Sequence, residues 1–381
     1  MANVLDNLAA DIYKAADVVG RELVGFIPSA TINASGSERA AKGDNVRASF
    51  TRAATAVNVA ESMTIPEGTD QTVDNKTLVI SKARAVQIPY TGEDVKHLNN
   101  GIGFETVYGD QIKQAMRTLA NEMEVDLATE AYRNASRAFG TAGTTPFGSN
   151  FSEVAELRQI LVDNGMPSND GQASMVLGTL AGTNLRQLAQ LQKANEAGGV
   201  DMLRQGTLLD LQGLMIKESA QVRSHTKGTG ASYLVNDASH AIGQTIIGTD
   251  GGTGTIIAGD ILTFNGDTNK YVVNTALAGG SFAIGSPGSR IALADNAAIT
   301  VGNNFTANVA FHRTALEIAM RAPAVPDGGD TATDSMLIQD PFTGMVFEVR
   351  VYKGYRKTMI EVAASWGVKA WKPEHIAVLL G

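Results

Sequence analysis

Residues 223–309 constrain this chain more than any other stretch. They hold 14 glycines, nine charged residues and no glutamate. Strand-like runs recur at 255–257, 260–264, 270–273, 281–284, 290–293 and 298–301. Turn clusters such as Asn265-Gly266-Asp267 and Ser286-Pro287-Gly288 separate them. Short runs with closely spaced turns predict a small β domain. The flanks carry helical spacing and ordinary charge, so this β domain is expected to be an insert in a different protein.

A chain of 381 residues predicts two or three domains. With 44% hydrophobic residues it can build sizeable cores. The net charge of −8 argues against tight general binding of nucleic acid, which needs clustered Lys and Arg. The absence of cysteine excludes disulfides, thiolate metal sites and cysteine nucleophiles together. No run of 18 apolar residues predicts a membrane span. The start, Met1-Ala2-Asn3-Val4-Leu5-Asp6, lacks the pattern of a signal peptide, so use in a cytoplasm is the expectation.

Along residues 3–25, Val4, Leu5, Leu8, Ile12, Ala15, Ala16, Val19 and Leu23 follow helical spacing up to Pro28. Such a helix packs on its own core or forms an arm on a neighbouring subunit. Residues 31–92 are strand-like. Two long antiparallel strands over 56–90 are expected, joined by a polar tip at Pro66-Glu67-Gly68-Thr69-Asp70. Such a hairpin is marginal alone and has few bulky residues, so it needs a partner surface. The longest helix is predicted over 104–136, with Ile112, Met116, Leu119, Met123, Leu127 and Ala131 on one stripe. Its length is on the order of 45 Å. Further on, the spacing predicts helices at 154–161 and 181–191 and strands at 173–177 and 206–216. Residues 307–320 read as a strand turning into a helix. Strands at 345–352 and 357–363 read as a hairpin around Gly354, followed by a strand at 376–380.

Motifs that carry chemistry are scarce. His97, His225, His240, His312 and His375 show no metal-ligand spacing and read as surface or packed side chains. The run Gly248 to Thr255 lacks the Lys-Ser/Thr ending of a phosphate loop and reads as a flexible hairpin loop. The loop Asp327 to Asp330 supplies too few oxygens for an EF-hand. Glu122, Glu124 and Asp126 on the long helix read as a solvated face. No catalytic, cofactor-binding or metal-ligating residue is assigned, and no cofactor is expected.

The order of the pieces resembles the major capsid protein of tailed bacteriophages, the HK97-like fold. Several stretches carry the likeness: Met116-Arg117-Thr118-Leu119-Ala120-Asn121-Glu122-Met123-Glu124 on the long helix, and Gly206-Thr207-Leu208-Leu209-Asp210-Leu211-Gln212-Gly213-Leu214 before the insert. Ala258-Gly259-Asp260-Ile261-Leu262-Thr263-Phe264 lies within it. Asn308-Val309-Ala310-Phe311-His312-Arg313, Asp340-Pro341-Phe342-Thr343-Gly344-Met345 and Pro373-Glu374-His375-Ile376-Ala377 follow. The insert resembles that of the subgroup typified by the phage P22 coat protein, which carries an inserted β-barrel.

The resemblance implies an α+β fold: an N-terminal arm over 1–45 and an E-loop hairpin over 46–92. A peripheral domain over 93–222 would hold the spine helix 104–136 and the start of the A-domain. The small β-barrel insert would cover 223–309, and the A-domain with C-terminal strands 310–381. It further implies hexamers and pentamers closing into an icosahedral head around double-stranded DNA, a structural protein of the virion assembled in the bacterial host cytoplasm. Implied partners are further copies of the chain, a scaffolding protein, a portal protein at one vertex, DNA held without sequence-specific contacts and, as a further candidate, a decoration protein; no membrane is implied. Glu67, Asp70, Lys76, Asp237, Asp250, Asp267 and Arg290 are the candidate assembly contacts. Two other readings stay open: a bacterial nanocompartment shell of the same fold, and an enzyme whose insert binds a ligand.

Overall fold

The computed structural model describes residues 6–23, 25–51, 56, 58–59, 61–65, 73–99, 104–192, 210–237, 240–340 and 343–381. Helix α1 (Asp6–Glu22) lies on helix α3 (Phe104–Arg133). Ile12, Ala15, Ala16 and Val19 recur every three or four residues and are buried against Ile112, Met116, Leu119 and Met123. The terminal helix therefore packs on its own chain. Leu127 and Ala131 extend the α3 stripe into the same core. Helix α2 (Gly92–Asn99) precedes α3, α4 (Ser152–Asp163) follows it, and α5 (Thr179–Gln187) comes next. The stretch predicted as one helix at 181–191 breaks at Leu188, after which Ala189–Gln192 form a further turn.

One sheet has six strands. Its order is Thr31–Ala40, Leu316–Pro323, Lys357–Ala370, Val346–Gly354 and Ala332–Gln339, with Lys82–Thr91 also paired to Lys357–Ala370. The hairpin expected around Gly354 is present, Gly354 opposite Lys357. The long hairpin differs from expectation. Asn45–Thr51 pairs with Val73–Val79, Val46 opposite Leu78, whereas Lys82–Thr91 joins the main sheet. The alternation of Val86, Ile88 and Tyr90 serves the core under that sheet, not a hairpin partner. Residues 52–55 and 66–72 lie outside the described residues.

The stretch 307–320 also departs from the expected strand and helix. It forms the strand Phe305–His312, a turn at Arg313–Ala315 and the strand Leu316–Pro323. Seven of the eight residues of Leu316–Pro323 are buried, so the strand covers core on both faces and shows no period of two. Of the strand expected at 206–216, residues 206–209 lie outside the described residues. The rest is a tight pair, Asp210–Leu211 and Leu214–Glu218, turning at Gln212-Gly213.

The insert closes on itself. Its strands run in the order Ile261–Phe264, Ala298–Val301, Tyr233–Val235, Ile246–Asp250, Ser281–Ile284 and Lys270–Ala278, and the last pairs back to the first. Six strands thus form an antiparallel barrel. Val235, Ile247, Leu262, Phe264, Tyr271, Val273, Phe282 and Ile284 fill it, forming a cluster separate from the α3 core. Residues 255–257 and 290–293, expected as strands, are connections. Ile256 still points its apolar surface into the barrel core, and Leu293 makes an isolated bridge to His240. Gly248 to Asp250, expected in a loop, continue the strand Ile246–Asp250, whose Ile247 and Thr249 alternate inward.

Candidate assembly surfaces

The barrel leaves the body at Ser224–His225 and returns at Phe305–His312, and these two strands pair, His225 opposite Phe305. His225 is buried at this neck. Its Nε2 lies 2.8 Å from Asp260 and its Nδ1 3.4 Å from the Tyr132 hydroxyl on α3. Asp260 is fully buried and also accepts the backbone N–H groups of Gly228 at 3.0 Å and Ile257 at 2.8 Å. The rings of Tyr132 and Phe305 flank the imidazole. Gly259 packs against Tyr132 with φ +98°, where a Cβ would lie 2.7 Å from the ring. On the other side, Tyr271 of the barrel pairs with Arg137 of the strand Arg137–Gly140. The barrel is thus docked on the C-terminal end of α3 by ladder bonds and by the buried hydrogen-bond network of His225, Asp260 and Tyr132.

The acidic stripe on α3 is not a solvated face. Glu124 is 3% exposed and accepts N–H bonds from Phe26 at 2.6 Å and Ile27 at 2.9 Å and a hydroxyl bond from Ser219 at 2.9 Å. Burial pushes its carboxyl pKa up, while those three bonds oppose the rise. Lys82 bridges Glu122 at 3.3 Å and Asp126 at 2.8 Å, and Arg84 reaches Glu122 at 3.1 Å. Asp126 also accepts the Trp366 indole N–H at 2.8 Å. Glu122 and Asp126 therefore tie α3 to the six-stranded sheet, whereas Glu124 holds the segment at Phe26-Ile27 and Ser219.

The assembly candidates fall in different places. Glu67 and Asp70 lie outside the described residues. Lys76 turns onto its own chain, donating to the Trp371 carbonyl at 3.3 Å with its ammonium 5.6 Å from the indole centre. Asp267 accepts the Tyr271 hydroxyl at 2.6 Å and the Asn269 N–H at 2.9 Å, so it holds a barrel turn. Asp237 is half-buried, and Asp250 is exposed at a strand end. Arg290 exposes its side chain while its backbone N–H bonds the Tyr271 hydroxyl at 2.9 Å. The four barrel residues are spread over separate segments.

Two further features bear on chemistry. His312 lies 2.8 Å from Asp170, and the His375 ring centre is 6.2 Å from that of His312. Burial lowers the His375 pKa, and the Gln172 N–H with His312 holds that of Asp170 down. Among the described residues no group of three or more such side chains could hold a metal ion. A cleft of about 620 Å³ runs along the seam between α4, the strand Arg137–Gly140 and the barrel turn at Thr268-Asn269-Lys270. Glu153, Glu156, Asp163 and Arg137 are among its lining residues, and Arg137 lies 3.8 Å from Asp163.

Large apolar side chains are exposed elsewhere. Val59, Met63 and Ile65 have relative exposures of 101%, 106% and 88%. No strand or helix of the described residues includes them. The hairpin tip Lys353-Gly354-Tyr355-Arg356-Lys357 is also fully on the surface. Sequence reasoning passed over it, although three cations and a tyrosine in five residues are legible there. No helix among the described residues is long and apolar enough to cross a membrane.

No protein-family model and no curated protein sequence matches the chain. Solved structures do. The capsid of cyanophage P-SCSP1u superposes with a TM-score of 0.50 at 11% identity, covering 94% of this chain and 88% of that one. A structure from Mycobacterium phage Che8 gives 0.47 at 14% identity, covering 89% and 85%. The mature capsid of bacteriophage PhiM1 gives 0.47 at 10% identity, covering 93% and 86%.

Proposed function

We propose, from the HK97-like capsid fold that this chain carries, that it is a major capsid protein building an icosahedral phage head. The observation that carries this reading is the exposure of Val59, Met63 and Ile65. Three large apolar side chains outside any core gain their stabilisation only when another surface covers them. Copies joined by heterologous contacts close into rings and shells, and weak contacts add up across many copies.

Within this reading, the E-loop that lies over a neighbour falls in 46–92 outside the strand Lys82–Thr91, which joins the main sheet, and α3 is the spine. The A-domain starts within 93–222 and continues over 310–381. The closed barrel supports assignment to the P22-coat-like subgroup. Asp250 and Arg290 are the remaining exposed candidates for contacts between capsomers. Scaffolding protein, portal and packaged double-stranded DNA are the partners, and a net charge of −8 suits a wall along which DNA slides.

Electron microscopy of the purified full-length chain tests the reading. Closed shells or polyheads are the expected result. A compact monomer persisting at high concentration would overturn it. Limited proteolysis adds a second check: the exposed residues 61–65 should be cut quickly in subunits and slowly in particles.

A further inference from the structure

The hairpin joining Val346–Gly354 to Lys357–Ala370 ends in a charged tip. Lys353, Tyr355, Arg356 and Lys357 are all exposed, Tyr355 at 89%. Arg356 holds φ +53°, and its guanidinium lies 5.6 Å from the Tyr355 ring centre. Many arginines of this chain are paired: Arg39 with Glu348, Arg117 with Glu22, Arg186 with Glu218 and Arg350 with Asp330. Lys353, Arg356 and Lys357 form no ion pair among the described residues. On a chain of net charge −8 this is a local excess of positive charge.

The start of α2 lies beside the tip. The Gly92 N–H donates to the Arg356 carbonyl at 3.2 Å, and Lys357 is the ladder partner of Thr91. Glu93 and Asp94 come next, both exposed. Asp94 turns back to accept the Thr91 N–H at 2.9 Å and hydroxyl at 2.6 Å, which fixes the helix start. Glu93 makes no ion pair among the described residues. Cations and acids therefore sit side by side on one edge.

That arrangement selects the partner. A phosphate backbone would meet the cations but be repelled by Glu93 and Asp94. A second copy turned about a symmetry axis presents the same two charges in the complementary order. We infer that this edge is a contact between copies of this chain, the cationic tip of one seated on the acidic start of α2 of the next, with Tyr355 covered between them. The inference rests on the shell reading above. Each exposed pair is weak and screened by salt, so the contact gains its weight by repetition around a closed assembly.

The test uses the full-length chain and three variants: Arg356→Glu, Glu93→Lys, and both together. Assembly is followed by light scattering and sedimentation, and subunit folding by circular dichroism. Each single reversal is expected to raise the concentration needed for assembly by about tenfold, with an unchanged subunit spectrum, and the double swap to recover most of it. Added salt should weaken the wild type and the swap alike. Wild-type shells with unaffected single variants, or a swap that recovers nothing, overturn this inference alone. So do variants that assemble normally but lose binding to duplex DNA. A wild type that never assembles overturns the shell reading and this inference with it.

Discussion

His225 and Asp260 meet at 2.8 Å with both side chains shut off from solvent, one on the strand entering the barrel and the other within it. A buried pair of this kind is no proof of stability, but removing one member is costly, because the other is left uncompensated. Asp260→Ala would remove the partner of the His225 Nε2 and of the Gly228 and Ile257 backbone N–H groups. We expect a loss of about 3–5 kcal/mol in urea unfolding, with amide exchange rising first in the barrel. A loss below about 0.5 kcal/mol would show that the neck does not depend on this pair.

Glu124 predicts a pH dependence of definite sign. Its folded carboxyl holds a proton to higher pH than the unfolded one, because burial penalises the charge. The stability it contributes is thus present at low pH and lost as pH rises through the folded pKa. Glu124→Gln does not titrate, and its amide NH₂ would face a backbone N–H of Phe26 or Ile27. The variant should be less stable by about 1–3 kcal/mol, and its deficit against the wild type should be wider at pH 5 than at pH 7. A deficit that is constant or narrows towards pH 5 refutes the argument.

Gly367 seats the long hairpin. A Cβ at this position would lie 2.1 Å from the Val79 carbonyl oxygen and 2.8 Å from Leu78. Leu78 and Ile80 are buried there with Ala40 and Ala319. Gly367→Ala should push the hairpin base off the sheet at a cost of about 1–3 kcal/mol. Faster proteolysis within 45–79 is the expected readout, and an unchanged cleavage rate is the adverse one.

Tyr271 spans the barrel from inside. Its hydroxyl donates to Asp267 and accepts the Arg290 N–H, so two turns share one oxygen. Tyr271→Phe keeps the packing and removes both bonds, which should cost about 1–3 kcal/mol. Thermal unfolding checks this, and an unshifted midpoint would place the two turns under other control.

Sequence patterns disclosed elements better than partners. The stripe of α3 and the hairpin about Gly354 were legible because each has a clean period and a defined end. The strand 82–91 was legible as a strand, but alternation does not say which strand lies alongside, and its partner is some 275 residues away. Leu316–Pro323 hid its nature because apolar residues on both faces erase the period. Glu124 was misread because, with acids at 122, 124 and 126, spacing alone does not tell which faces inward. What fixes it is Phe26, remote in sequence and brought near only by the fold. The exposed assembly candidates had no local signature beyond charge.

The closed order of the six barrel strands has a consequence for any molecule whose work is joining copies of itself. A ribbon with a free rim invites any other ribbon to zip onto it, whatever its side chains. Here, among the described residues, the strands spend their backbone groups on each other, and the ladder continues from Lys270–Ala278 into Arg137–Gly140 of the body. Strand addition is thereby closed off at the barrel, and a neighbour meeting it must be recognised by side chains alone. Such contacts can break and re-form while a lattice corrects its errors, which a zipped backbone seam does far more slowly.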